Sequence, residues 1–408
     1  MKILEINKFN FAKGGADRHF MDLTKLLRDR GNEVAVFAME HSKNEFSPWK
    51  KYFVSYVGYN HGDSTLWQKI KGTVRMFYSL ESRKKISRLL DDFRPDIVHI
   101  HNIYHQISPS ILSVIKKRGL PIVMTVHDYS LVCPDYLMDC NGKNWEEIKQ
   151  KGWIYFVKNK CFKNSYLKSF LAILRFRLHK RLNIYDKNID LYISPSQFTK
   201  NILVKNGLKE NKIMVLPHFY ARDSLEEKSQ VNIRKKYVLY AGIISKNKGI
   251  KELVDVFQNI KNISLYLAGR KEEGFTLKKR ENIKYIGFLS HKELSRYIKN
   301  ALFLVSFSRL PETFGLIALD AISNGKPFIG FDSGAYGEII KNAKSGYICK
   351  DLNEMKEKIE KLSNDEKLRN LFSQNALKKA QEFNQKQYGN DILSRFDMII
   401  QNKKQRLT

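Results

Sequence analysis

Acid is what this chain has too little of. Against 72 lysines and arginines it carries 42 aspartates and glutamates in 408 residues, a formal net charge of +30. Such a surplus draws phosphates, whether on nucleotides, nucleic acid or anionic lipid. Cysteine is scarce as well, with four residues and no C-x-x-C pair. The irregular spacing of Cys133, Cys140 and Cys161 around His127 argues against zinc, so the expectation is free thiols in a reducing compartment. Long apolar runs are missing, and none approaches the roughly 18 residues of a spanning helix. The opening MKILEINKF reads as a strand without a secretory leader, which predicts a cytoplasmic protein. No G-x-G-x-x-G follows a strand, which disfavours a dehydrogenase. No Asp-x-Asp pair is present to bridge a divalent metal to a diphosphate.

What is present is regular alternation. A length of 408 residues exceeds one hydrophobic core and suits two α/β domains. KILEI leads through the glycine-containing loop KGGADR into a helix with Phe20, Leu23 and Leu27 on one face. EVAVFAM, RPDIVHIHN, LPIVMTVHD and DLYISPS read as further buried strands. The pattern restarts after a polar stretch near 217–235 with YVLYAGII, ISLYLAG, IKYIGFL, ALFLVSFS and KPFIGFD. Alternation of this kind predicts two doubly wound, parallel-sheet domains, residues 1–216 and 217–384, with a helix over about 385–408 returning to the first. Ligands of such sheets bind beyond the carboxyl ends of the strands, so two such edges predict a cleft between the domains.

Residues 309–338, RLPETFGLIALDAISNGKPFIGFDSGAYGE, concentrate the chemistry. Glu312 stands just before a predicted helix, and Asp320 two turns inside it. The segment between them is apolar enough to be buried, so acids here need polar partners or a ligand. A helix beginning near Phe314 would expose unpaired amides and its positive dipole end, a seat for an anion. Eight helical residues rise about 12 Å, comparable to the sugar-to-ribose separation in a nucleotide sugar.

These segments together resemble the retaining family-4 glycosyltransferases of the GT-B fold. The likeness runs over nearly the whole length: KGGADRHFMDLTKLLRDRGNEVAVF, RPDIVHIHN, TVHDYSLVCP, ISPSQFTK, VLPHF, AGIISKNKGIKELVDVF and PETFGLIALDAISNGKPFIG, in order. The resemblance implies transfer of a sugar from a nucleotide-diphosphate donor to a saccharide or lipid-linked saccharide in cell-surface glycan assembly. It implies that Lys248 binds the diphosphate, with Gly15 and the amides of Phe314, Gly315 and Leu316 nearby. Glu312 would hold the donor sugar, Asp320 the ribose, and His127 would face the sugar. No metal or other cofactor is implied, since Lys248 and helix amides would carry the charge of the leaving group. Two residues depart from the family pattern. Ile243 stands where the family often has arginine, leaving Lys246 or Arg309 to substitute, and Asp320 stands for a glutamate one methylene longer.

One segment remains open to two readings. In KNKCFKNSYLKSFLAILRFRLHKRLNIYDK, Leu167, Leu171, Leu174, Leu178 and Leu182 form an apolar stripe, with Lys168, Arg175, Arg177, Lys180 and Arg181 around it. Such a helix either packs on its own domain with a solvated basic face or lies in the headgroups of an anionic membrane, making the protein peripheral on the inner face. His99 reads as structural and His101 as ambiguous. Two other functions compete: a nucleotide-sugar epimerase of the same architecture, and a basic nucleic-acid-binding protein. The second lacks any recognisable nucleic-acid module, so nucleic acid is not an expected partner.

Overall fold

A computed structural model describes the chain apart from residues 58–65, 222–235, 259, 261–262, 278–279, 342 and 406–408. The expected join at 217–235 lies mostly outside the described residues. The chain forms two compact units, Met1–Leu216 with Lys386–Thr408, and Pro217–Gln385.

The first unit contains β1 (Lys2–Ile6), β2 (Glu33–Phe37), β3 (Ile97–Ile100), β4 (Ile122–Thr125), a two-residue hairpin of β5 (Asp139–Cys140) and β6 (Lys143–Asn144), β7 (Leu191–Ser194) and β8 (Ile213–Val215). Its helices are α1 (Gly15–Asp29), α2 (Leu66–Phe77), α3 (Leu80–Phe93), α4 (Ser110–Lys117), α5 (Trp145–Lys158), α6 (Tyr166–Arg181) and α7 (Gln197–Lys205). The main sheet is parallel in the order β2-β1-β3-β4-β7-β8. Its strands are short apolar runs because helices cover both faces; all four residues of β3 and of β4 are buried.

The second unit repeats the plan with β9 (Tyr237–Ala241), β10 (Ser264–Ala268), β11 (Ile283–Gly287), β12 (Leu304–Ser306), β13 (Phe328–Phe331) and β14 (Gly346–Cys349). Its sheet runs β11-β10-β9-β12-β13-β14, with helices α8 (Ile250–Phe257), α9 (His291–Asn300), α10 (Leu316–Ser323), α11 (Leu352–Asn364) and α12 (Glu366–Ala380). Finally α13 (Gln385–Gln405) packs on the first unit, burying Tyr388, Ile392 and Phe396.

In each sheet the winding reverses once, between β1 and β3 in the first and between β9 and β12 in the second. Strands diverge in connection there, which opens a crevice at their carboxyl ends.

Two kinds of helix start bear on the site. Ser79, Ser165, Ser196 and Ser290 cap α3, α6, α7 and α9, each side chain accepting from an amide three residues on. The helices that follow β1, β9 and β12 are α1, α8 and α10, and these begin at Gly14, Gly249 and Gly315 without any side-chain cap. Their first amides are left for another acceptor.

The cysteine expectation is overturned in part. Cys133 and Cys349 are free and buried, but Cys140 and Cys161 form a disulfide with Cα atoms 4.9 Å apart. A separation of 21 residues carries no pairing signal in the sequence; the β5–β6 hairpin and the end of α5 bring the two together. The cysteine-based ground for a reducing compartment falls with it.

Candidate active site

Beneath the carboxyl-end edge of the first sheet runs a ladder of polar side chains that the strand register dictates. Glu5 on β1 pairs with His99 on β3. Side chains alternate across a sheet, so Glu5, His99 and His101 share a face, as do Thr125 and His127 on β4 and just beyond it. Glu5 Oε1 lies 3.0 Å from His99 Nδ1, and Glu5 Oε2 lies 3.0 Å from His101 Nε2. His99 Nε2 meets Thr125 Oγ1 at 2.8 Å, and His101 Nδ1 meets His127 Nε2 at 2.8 Å. Glu5, His99 and His101 are fully buried. They also bring three potential metal-ligand atoms within 4.8 Å of one another. Both carboxylate oxygens are already engaged by ring nitrogens, so the cluster reads as a hydrogen-bond ladder.

The protons on this ladder follow from the acceptors. Burial pushes the Glu5 carboxyl up, but His99 and then His101 oppose it and hold it at about 2. Burial, then His99, push His101 down to about 4 against the upward pull of Glu5. At neutral pH, therefore, Glu5 is a carboxylate that can only accept, and His101 carries one ring proton. That proton sits on Nε2, facing Glu5, which leaves Nδ1 as an acceptor for the Nε2–H of His127. A neutral His127 then has its lone pair on Nδ1. The ring of His127 is half-buried and stacks on His101 with 5.0 Å between centroids. From α13, Phe396 closes on His99 and the Tyr388 hydroxyl lies 3.3 Å from His19.

Gly15 is exposed at the first position of α1. The helix start is anchored by the buried Asp17, whose carboxylate accepts from Asn7 at 3.0 Å just past β1. Asn7 Oδ1 in turn accepts from the amide of Asn102, past β3, at 3.2 Å.

In the second unit the Lys248 ammonium lies 2.5 Å from Glu312 Oε1 and 3.4 Å from Ser308 Oγ. Lys248 ends a 3₁₀ turn beyond β9, and Glu312 follows β12, so the pair spans the winding reversal. Both side chains are about a quarter exposed. A parallel bridge to Gly334 holds the Glu312 backbone, with its carbonyl accepting from Ala335 at 2.9 Å.

Here the structure corrects the sequence reading. The helix begins at Leu316, not near Phe314, and Glu312 lies in extended chain. Asp320 is therefore little more than one turn inside, and the helical rise from Leu316 to it is about 6 Å. The premise that one helix links both acids does not hold. The reason is Gly315, whose φ of 94° caps the helix and whose Cβ, if present, would lie 2.4 Å from the Tyr336 ring. Phe314 packs its ring among His218 and Phe383, while its neighbours offer backbone amides. Asp320 is 2% exposed and 3.9 Å from His291 at the start of α9. Ile243 is exposed and supplies no cation. Arg309 lies over the Phe331 ring at 4.7 Å, and Lys246 sits in the same 3₁₀ turn as Lys248. A bridge between Ile244 and Lys271 brings Arg270 and Lys271 alongside that loop.

The basic helix is also corrected. Arg175, expected on the outer basic face, is 2% exposed and lies among Tyr104, Tyr185 and Asp128. The inward face of α6 is Ser169, Ala172, Ile173, Arg175 and His179, while Leu167, Leu174, Leu178 and Leu182 are exposed with Lys168, Arg177, Lys180 and Arg181. The leucine stripe points outward.

Sequence reasoning missed Glu5, His19 and Tyr388 and left His101 undecided. An acid inside the apolar strand KILEI was the available signal, because a buried carboxylate needs a partner.

Comparison with known proteins fits this geometry. The sequence profile of glycosyltransferase family 4 matches residues 13–223, and that of glycosyl transferases group 1 matches residues 221–379. An uncharacterized glycosyltransferase of Methanocaldococcus jannaschii is 29% identical over 390 residues, 94% of each chain. The Campylobacter jejuni N,N'-diacetylbacillosaminyl-diphospho-undecaprenol alpha-1,3-N-acetylgalactosaminyltransferase is 28% identical over 230 residues, 51% of this chain and 59% of that one. The structure of Anabaena HepE in complex with UDP-glucose superposes with a TM-score of 0.65 at 15% identity, covering 98% of this chain and 100% of the other. The chain belongs to glycosyltransferase family 4, and its two parallel-sheet units have the GT-B fold.

Proposed function

We propose that this glycosyltransferase moves a sugar from a nucleoside-diphosphate donor to a saccharide or lipid-linked saccharide acceptor, with retention of anomeric configuration, in the assembly of a cell-surface glycan. The observation that carries the reading is the Lys248–Glu312 pair at the winding reversal of the second sheet, beside helix starts without side-chain caps. The diphosphate takes Lys248 and the amides of Phe314, Gly315 and Leu316, which stabilise charge as the leaving group departs. Glu312 then accepts from sugar hydroxyls near the anomeric carbon, and Asp320 from the ribose. Within the first unit, we assign His127 and the Gly15 amide to substrate contact. In the transfer step the bond from the anomeric carbon to the diphosphate oxygen breaks, and the acceptor oxygen bonds to the same face. The acceptor proton passes to a phosphate oxygen of the leaving group. Lys248 and the helix amides compensate the charge, so no divalent metal is required.

The binding of UDP-glucose by the HepE neighbour supports the donor class, and the undecaprenol-linked substrate in the name of the Campylobacter relative supports the acceptor class. The same reading assigns the enzyme to the cytoplasmic face of a membrane, supported by the outward stripe of α6. Among the described residues no helix is long and apolar enough to cross one.

The test is a thermal-shift screen of UDP, GDP, ADP and dTDP followed by turnover of the matching sugar nucleotide. A ligand at about 100 times its Kd adds about 2.7 kcal/mol, so one base stands out. Release of nucleoside diphosphate should depend on acceptor and survive EDTA. Stabilisation by none of the four, or release indifferent to acceptor, overturns the proposal.

A further inference from the structure

A cavity of about 430 Å³ lies within the first unit, between α5, α6 and the end of α7. That volume falls in the range, about 300–1,000 Å³, of sites for small molecules. Its wall is aromatic: Trp145, Trp153, Phe156 and Phe176 line it, with Trp145 edge-on to both phenylalanines at 6.3 Å. Gly152 also lines the cavity, and α5 is broken there, with φ 81° and ψ 173°, a backbone that a residue with a side chain rarely adopts. The Cys140–Cys161 disulfide ties the chain just before α5 to the chain just after it.

Cations crowd the same cavity. Lys149, Arg177, Lys180 and Lys205 contribute to its lining. Asn206 draws two of them together, its side-chain oxygen accepting from Lys149 at 3.0 Å and its carbonyl from Lys180 at 3.1 Å. Burial, then Lys149, hold the Lys180 ammonium below the usual lysine range. Glu146 pairs with Lys149 at 3.3 Å and Lys205 at 3.7 Å, and among the described residues Arg177 has no ion-pair partner. One further polar group lacks a partner. The indole Nε1–H of Trp145, a residue only 4% exposed, finds no acceptor among the described residues. Buried donors are rarely left so unless a ligand or water accepts.

We propose that this cavity binds an anionic amphiphile: a single hydrocarbon or isoprenoid chain carrying a phosphate head. The chain lies on the tryptophan and phenylalanine wall, the phosphate takes Lys149, Arg177 and Lys180, and a head-group oxygen accepts from Trp145. A purely apolar ligand would leave the cations uncompensated, and a free phosphate would leave the aromatic wall wet. The surface outside is continuous with this chemistry, since Trp153 and Ile154 are 46% and 52% exposed and the leucines of α6 face outward. Phosphate on a single chain occurs both in membrane lipids and in lipid carriers of saccharides. The site lies wholly in the first unit, so it stands whether or not the donor assignment does.

The experiment is a tryptophan-fluorescence and calorimetric titration of the full chain with dodecyl phosphate below its micelle concentration. Dodecyl maltoside, inorganic phosphate, farnesyl phosphate and the single-chain lysophosphatidylglycerol are the comparison ligands. Dodecyl phosphate should bind saturably and at least about tenfold more tightly than dodecyl maltoside or inorganic phosphate. The double variant Arg177→Glu/Lys180→Glu, both at exposed positions, should weaken it by at least about tenfold, and Trp145→Phe by about fivefold. Preference for farnesyl phosphate identifies a lipid carrier as the source, and preference for lysophosphatidylglycerol identifies the membrane. Equal affinity for the maltoside, undiminished binding by the double variant, or no saturable binding overturns the proposal. None of these readouts uses a sugar donor, so they cannot be confused with failure of the transfer reaction.

Discussion

The two crevices solve the same problem of a carboxylate among cations and rings in opposite ways. In the first unit, Glu5 is fully buried and both its oxygens are taken by histidine nitrogens. In the second, Glu312 and Lys248 are about a quarter exposed and hold mainly each other. A buried ladder cannot exchange partners without leaving a charge unsolvated, which suits it to fixing the orientation of His127. A part-exposed pair can give up its mutual contact to a ligand of matching charge, which suits it to binding. Rigidity and exchangeability are thus separated between the units.

The comparison is broken most strongly at the exchangeable pair. Lys248→Ala and Glu312→Gln should each lower the transfer rate by about 10²–10³-fold while leaving the melting temperature nearly unchanged, as initial rates and calorimetry will report. Near-normal turnover of both would remove this pair from the reaction.

Glu5→Gln should act at one remove. Its amide offers one acceptor and one donor face, so His101 can be driven to carry its proton on Nδ1 and His127 to the opposite tautomer. Nitrogen NMR of the His127 ring should move from protonated Nε2 to protonated Nδ1, with turnover down by about tenfold. An unchanged His127 spectrum would reduce Glu5 to a structural role.

A pH series probes the buried ladder of the first unit. His101 is depressed from 6.5 to about 4 and Glu5 from 4.5 to about 2. For both, the folded state resists protonation more than the unfolded chain does. The associated stability is complete above pH 6.5, falls from 6.5 towards 4 through His101, and falls again from 4.5 towards 2 through Glu5. Thermal melts should follow that slope, and the second fall should shrink in Glu5→Gln. A flat profile from pH 7 to 4 would contradict the proton placement.

The smallest effect concerns the two kinds of helix start. Ser290→Ala removes a capping box from α9 and should cost about 1 kcal/mol of stability. Nucleotide affinity should stay the same, because the Ser290 side chain is engaged with Glu293 of its own helix and has no part in the proposed donor contacts. A Ser290→Ala variant with impaired nucleotide binding would blur the distinction between capped and uncapped helices.

Much of this was legible in residues close together in the chain. Short apolar runs separated by amphipathic helices announced two parallel sheets, and KNKG with PETFG announced a cation and an acid beside glycine-led helices. The missed strands β8 and β14 are sheet-edge strands with mostly part-exposed residues, so they lack the longer apolar runs that marked the inner strands. The start of α10 was misjudged because GLIALDAIS reads as helix throughout, and only the approach of Tyr336 imposes the glycine turn. The leucine stripe of α6 was seen, but not which way it faced. Arg175 turned inward because Asp128, Tyr104 and Tyr185, distant in sequence, supply a polar pocket there.

By itself, then, the amino-acid order determined the fold class, the family and the acid and lysine of the second unit, since these depend on periodicity and on spacing within a few dozen residues. Tertiary structure alone decided that Glu5 meets His99 and His101, that Cys140 meets Cys161, and that an aromatic, cation-rich cavity opens beside α6. Each of those depends on strand register or on helix rotation. The energy that sets them is burial and hydrogen bonding between segments up to a hundred residues apart, and no local pattern records it.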